Sequence, residues 1–156
     1  MGQGALEAEI TIDATPDRVW AVVSDLKAMK DRSPEVVGMW MRGRSGVGAR
    51  GVNLNRRKGF VWPTTTRITQ WKPPENDSGR GVLAFHVRPT DAEWSYQLEP
   101  SGTGTRLIER RSDPQGNGIL VRLAARWALG GKASHDIELQ AGMNDTLAKI
   151  KIAAEN

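Results

Sequence analysis

The sequence predicts an α+β fold: a curved antiparallel β-sheet of about seven strands wrapped around a long C-terminal α-helix, with two short helices after strand 1. Three observations predict it. Residues 35–107 are almost wholly short segments rich in alternation or in Thr, Val and Trp, separated by Gly, Pro and Asp turns. A Thr-Pro helix start follows the first strand directly. From about Ser134 onward the apolar residues take helical spacing. With 156 residues, 1–156 read as a single domain able to bury a core without disulfides or metal.

Leu6, Ala8, Ile10 and Ile12 alternate with polar residues, the mark of a half-buried strand. Thr15 suits an N-cap, and Pro16 the first helical position, where its missing N–H costs nothing. Val19, Val22, Val23 and Leu26 then follow i, i+3, i+4, i+7 spacing. Asp25 is expected to cap a second short helix ending near Arg32, where Ser33-Pro34 stops it. The strands follow: Val36–Arg42, Ala49–Arg57, Val61–Trp71, Val82–Val87, Glu93–Leu98 and Thr105–Arg111. Between them lie turns at Gly43–Gly48, Lys58-Gly59, Lys72–Gly81 and Pro100–Gly104. Leu120, Leu123, Ala124 and Trp127 mark a helix over 119–129. In the last helix Leu139, Met143, Leu147 and Ile150 form the apolar stripe, flanked by Gly142 and Thr146.

Hydrophobic residues make up 38% and charged residues 26%, which excludes wholesale disorder. No apolar run is long enough to span a membrane, and no signal-peptide pattern is visible at the start. Met1-Gly2 invites a myristoylation reading, but Leu6 stands where that motif needs Ser or Thr. Cysteine is absent, which removes disulfides, thiolate metal sites and thiol nucleophiles. A cytoplasmic protein is expected. The net charge of +4 is uneven: residues 42–58 carry six bases and no acid.

Strand parity and sheet curvature together set the candidate site. The concave face is expected to collect Gly51, Asn53, Asn55, Trp62, Thr64, Thr66, Phe85, Trp94, Tyr96, Leu107 and Glu109, and the helix to add Leu139, Met143 and Leu147. Aromatic walls with a few polar groups suit a small-molecule pocket, here expected in the lower half of roughly 300–1,000 Å³. Glu109 is the sharpest residue. Buried with a base such as Arg57 or Arg67 it is an ion pair, the commoner arrangement; buried alone it has a raised pKa and can serve as an acid or base. His86 is expected to face outward, and His135 lies near the start of the last helix. Neither shows metal-ligand spacing, so no metal and no cofactor are expected. Arg56-Arg57-Lys58 lies beside Phe60 and Trp62, but Arg50 and Arg56 face solvent on strand parity, so nucleic acid is not an expected partner.

A resemblance rests on stretches covering nearly the whole chain in order. They are Thr15-Pro16-Asp17-Arg18-Val19-Trp20 with Ser24-Asp25-Leu26; Ser33-Pro34-Glu35-Val36; Val47-Gly48-Ala49-Arg50 leading to Asn55-Arg56-Arg57; and Trp62 with Thr64. Then come Trp94-Ser95-Tyr96-Gln97-Leu98-Glu99-Pro100, Gly104-Thr105-Arg106-Leu107 with Glu109, and Gly142-Met143 with Thr146-Leu147. On these the chain resembles the helix-grip fold of the START-like superfamily (SRPBCC), and within it the bacterial polyketide cyclase/dehydrase-like group. Where that pattern often has a large aromatic, this chain has Gly51, so the strand is expected to leave space there and line it with amides. The resemblance implies that segment 119–129 lies at the cavity mouth, where it reads as a lid or as a fixed core helix.

Three functions follow as expectations. The first is binding of a hydrophobic small molecule, lipid-like or aromatic, between sheet and C-terminal helix. Trp62, Trp94 and Tyr96 would form the aromatic wall, Asn53, Asn55 and Glu109 would orient polar groups, and Leu139, Met143 and Leu147 would close the helical side. The second is a polyketide aromatase/cyclase-type enzyme using Glu109 and Tyr96. The third is a protein-interaction or regulatory module using the basic sheet face at Arg56 and Arg57.

Overall fold

The computed structural model describes residues 5–75, 78–112 and 132–156, with side chains of the last helix from Ile137 onward. The helix expected over 119–129, its lid role and the His135 side chain lie outside the described residues.

Seven strands form one antiparallel sheet: β1 (Leu6–Ile12), β2 (Val36–Arg42), β3 (Arg50–Arg57), β4 (Phe60–Lys72), β5 (Gly81–Arg88), β6 (Ala92–Ser101) and β7 (Gly104–Ser112), in the spatial order β1-β7-β6-β5-β4-β3-β2. Helix α1 (Pro16–Val23) and a 3₁₀ turn (Leu26–Asp31) join β1 to β2, and helix α2 (Lys132–Glu155) ends the chain. This is the helix-grip layout. Successive strands from β2 to β7 are neighbours because each is joined to the next by a short turn. One two-residue turn is Lys58-Gly59, where φ values of 51° and 82° give the mirror-image turn that matches strand twist. Bulges interrupt the register between Val36 and Gly38 and between Ile68 and Gln70. Extra residues of this kind bend a strand, and here they help curl the sheet over its concave face.

Thr15 caps α1, its hydroxyl accepting from the Arg18 N–H at 3.3 Å, with Pro16 at the first helical position. Asp25 does stand before the 3₁₀ turn, but its side chain makes no capping bond. Leu26 opens that turn instead of ending α1, and is still buried. The last hairpin is tighter than expected: β6 and β7 run up to Ser101 and Gly104, leaving only two residues between them.

The core lies between the sheet and both helices. Ile12, Val19, Val23, Leu83, Leu98, Leu107, Leu147 and Ile150 are almost fully buried there. The arginine of α1 ties down the far end of α2. Arg18 donates to the carbonyls of Ala153, Ala154 and Asn156 at 3.1–3.3 Å, satisfying groups that the helix end leaves unbonded. The opposite half of α2 then spans the concave face, away from this anchor. Among the described residues, no helix is long and apolar enough to cross a membrane.

Candidate functional site

A cavity of about 710 Å³ lies between the concave face, the 3₁₀ turn and α2. It exceeds the lower-half size expected from sequence. Of the predicted residues, Asn53, Asn55, Trp62, Thr64, Phe85, Trp94, Tyr96, Glu109, Leu139 and Met143 line it. Thr66, Leu107 and Leu147 do not: each is buried behind the wall, Thr66 as a hydrogen-bond partner of Asn53 and the two leucines as core. Gly51 opens no space either. A Cβ there would sit 2.5 Å from Met41 Sδ and from the Trp40 carbonyl oxygen, so β2 has already filled the gap.

The amides of β3 are held by β4. Asn53 Nδ2 donates to Thr64 Oγ1 at 3.1 Å and Thr66 Oγ1 at 2.6 Å; Asn55 Nδ2 donates to the Trp62 carbonyl at 3.3 Å and Thr64 Oγ1 at 3.0 Å. A backbone carbonyl accepts only, so the Asn55 amide has a single sensible orientation. With both amide nitrogens engaged by the sheet, oxygen is what these side chains offer elsewhere. Asn53 Oδ1 is buried with no hydrogen-bond partner among the described residues. Oriented this way, Asn53 presents an acceptor on this side of the cavity, while the Thr64 hydroxyl keeps a hydrogen to donate.

The other polar group is Glu109 on β7. Its neighbour across the register, Tyr96 on β6, donates its hydroxyl to Glu109 Oε1 at 2.9 Å. The ion pair expected with Arg57 or Arg67 is absent. Arg57 pairs with Glu138 of α2, and Arg67 points out from the sheet's other face. Burial pushes the Glu109 carboxyl up to about 8, only partly countered by the Tyr96 hydrogen bond. Burial, with Glu109 beside it, likewise raises Tyr96 well above its ordinary value. At neutral pH Glu109 is thus mainly an uncharged acid. Tyr96 occupies Oε1, and Oε2 has no partner among the described residues, so the acid hydrogen is available on Oε2.

Several wall residues carried weaker signals. Arg57 shares strand parity with Asn53 and Asn55, and Arg111 with Glu109, so both face inward. Arg57 is consequently no part of an outward basic face, contrary to the interaction-module expectation. Its pairing with Glu138, which also lies 3.6 Å from Lys58, joins β3 to α2 at the cavity edge and lowers the Glu138 carboxyl. Arg111 lies 5.7 Å from the Trp94 ring centroid, in cation–π range. Met29, Pro34, Val36 and Met39 come from segments whose curvature no periodicity discloses. Outside the cavity, His86 faces away from Phe85 and meets Asp91 at 3.3 Å. Among the described residues no cluster of His, Cys, Asp or Glu has the makings of a metal site.

Residues 3–148 match the family model described as polyketide cyclase / dehydrase and lipid transport. The chain belongs to that family. Solved structures agree on the fold. KanY superposes with a TM-score of 0.73 at 16% identity, over 100% of both chains. The Zhui aromatase/cyclase from Streptomyces sp. R1128 gives 0.68 at 18%, over 97% of this chain and 93% of that one. The Polyketide_cyc-like protein Cgl2372 from Corynebacterium glutamicum gives 0.59 at 23%, over 97% and 91%. No curated protein sequence matches this member of the family.

Proposed function

We propose that the protein binds a hydrophobic, ring-containing small molecule in the cavity between sheet and α2. The observation that carries this reading is the cavity itself: about 710 Å³, walled by Met39, Phe85, Val87, Trp94, Leu139 and Met143, with a few fixed polar groups. Apolar contact supplies the affinity, and the Asn53 oxygen and the Glu109 acid supply orientation. The ligand implied has a large apolar body, a hydrogen-bond donor for Asn53 and an acceptor, such as a carbonyl, for Glu109. The family description and the aromatase/cyclase neighbour support this class of guest.

The test is native mass spectrometry of freshly purified protein, followed by extraction. A stoichiometric apolar adduct, absent after a cavity-filling substitution, is the expected result. An empty protein that takes up none of a panel of aromatic and acyl compounds would sink the reading.

One observation favours a catalytic version. Glu109 is buried, carries its proton at neutral pH and has an oxygen to spare beside the cavity. An acid so placed can protonate a departing hydroxyl during dehydrative ring closure, with Tyr96 holding the other oxygen. Under this reading Glu109→Gln abolishes turnover of a poly-β-ketone while binding persists. Binding without turnover in the wild-type protein leaves the carrier function alone standing.

A further inference from the structure

The outer face of β2–β4 is polarised in a way that the cavity does not explain. From Val36 to Pro74 the chain holds eight bases and no acid. These residues contain three adjacent strands at one edge of the sheet. Register places Arg42, Arg50 and Arg67 side by side across them, and strand parity sends Arg56 out on the same face. Among the described residues none of these four takes part in an ion pair, whereas Arg106 and Arg110 of β7 are matched by Glu9, Glu99 and Glu7. One half of the sheet is thus neutralised by its own carboxylates and the other is not.

Apolar side chains stand among these arginines. Trp40 is 61% exposed, Val52 47% and Val61 48%. Trp40 lies flat: a Cβ on Gly38 would come within 2.6 Å of its ring, so the indole covers that glycine and shows its other face outward. At the Lys58-Gly59 turn Phe60 is also exposed, stacked on Trp62 at 5.6 Å. Trp62, Lys58 and Arg56 all line the cavity edge. The basic, apolar surface therefore runs continuously to the site's opening.

We propose that this face and the β3–β4 turn dock on an anionic lipid bilayer. Guanidinium groups match acidic headgroups, and an exposed indole settles at the interface between headgroup and hydrocarbon. Aliphatic Val52 and Val61 between the arginines favour hydrocarbon over nucleic acid, whose bases are held by stacking. Among the described residues the carboxylates near this edge are Glu35 before β2, Asp145 and Glu138 of α2, the last engaged by Arg57 and Lys58, and Asp91 and Glu93 beside His86 at the β5 side. Docked this way, the protein presents its cavity edge to the membrane. The inference stands on the outer face and survives whether or not a ligand is found inside.

Vesicle co-sedimentation tests it with the full chain. Phosphatidylcholine vesicles with about 30 mol % phosphatidylserine should bind the protein, and pure phosphatidylcholine should bind it at least tenfold more weakly, about the effect of losing a few headgroup contacts. The double variant Arg50→Glu, Arg56→Glu should lose binding to a similar extent. Trp40→Ala with Val61→Ser should weaken it at unchanged charge. All these side chains are exposed, and circular dichroism verifies that each variant is folded. Absence of wild-type binding overturns the proposal. So does equal binding to neutral vesicles, indifference to both variants, or salt-sensitive capture of an oligonucleotide in place of vesicles.

Discussion

Buried Glu109 contributes a pH dependence of its own between mildly acidic and mildly alkaline pH. Its carboxyl titrates near 4.5 in an unfolded chain and near 8 when buried. Below about 4.5 both states are protonated and the stabilising contribution is intact. Between those values the unfolded state loses its proton while the folded state keeps it, so the unfolded chain binds fewer protons and stability falls as pH rises. The slope approaches about 1.4 kcal/mol per pH unit and ends above roughly pH 8, where both states are ionised. Urea denaturation at several pH values should show this decline, and Glu109→Gln should flatten it, because the amide keeps an acceptor for Tyr96 and has no proton to lose. A wild-type profile flat from pH 5 to 8 would mean that Glu109 is ionised and paired after all. Parity alone placed this residue inside. Its partner was not legible, because cross-strand register depends on hairpin length, and Tyr96 is opposite Glu109 only once the last turn shrinks to two residues. Arg57 shares that inward parity with Asn53 and Asn55, though it was expected on the basic outward face with Arg56. An inward arginine reads as unfavourable until Glu138 arrives from α2, some eighty residues on.

At the scale of elements, two packing contacts away from the cavity wall hold neighbouring elements together. The first is β2 against β3 at Gly51. The nearest obstacle to a Cβ there is partly the Trp40 carbonyl oxygen, which cannot swing aside as a side chain can. Gly51→Ala should therefore cost about 1–3 kcal/mol by forcing the strands apart, measured as a lowered denaturation midpoint. A neutral result would show that β2 is loosely held at this edge. The space expected at Gly51 took account of β3 alone. That expectation failed because the neighbouring strand supplies Met41. The second contact is Arg18 at the C-terminus of α2. Because the guanidinium is exposed, Arg18→Ala should cost only about 1 kcal/mol. Its clearer signature is faster amide exchange confined to the final turns of α2, with the sheet unchanged. Exchange that rises uniformly would show that the anchor serves global stability. Helix α1 was legible from its Thr15 cap and apolar spacing, and α2 from the buried stripe Leu139, Met143, Leu147 and Ile150. This anchor was not, since a solvent-facing arginine in α1 has no local signal of a partner at the chain's end.

For the molecule as a whole, the question is why a chain with an ordinary apolar content leaves so much space unfilled. The concave face spans several strands, and α2 covers it from one side. Where Arg18 and Glu155 draw the helix close to the start of α1, side chains meet and fill the gap. Toward the other end the sheet curves away, and residues of ordinary size no longer reach across. Two substitutions separate these regions. Leu107 is fully buried on the packed side, so Leu107→Ala removes contacts and leaves a void, at a cost of about 2–5 kcal/mol. Val87 lines the cavity, so Val87→Phe extends into empty volume. Enlarging a residue in a filled core costs about 1–3 kcal/mol; here the change should be near zero or stabilising, since new apolar area is buried without displacing a neighbour. The same variant should take up less of an apolar fluorescent probe such as anilinonaphthalene sulfonate, and it should lose part of the thermal stabilisation the probe confers on the wild-type protein. If Val87→Phe destabilises as an overpacked core would, the hollow closes in solution, and the site must be sought elsewhere on the fold.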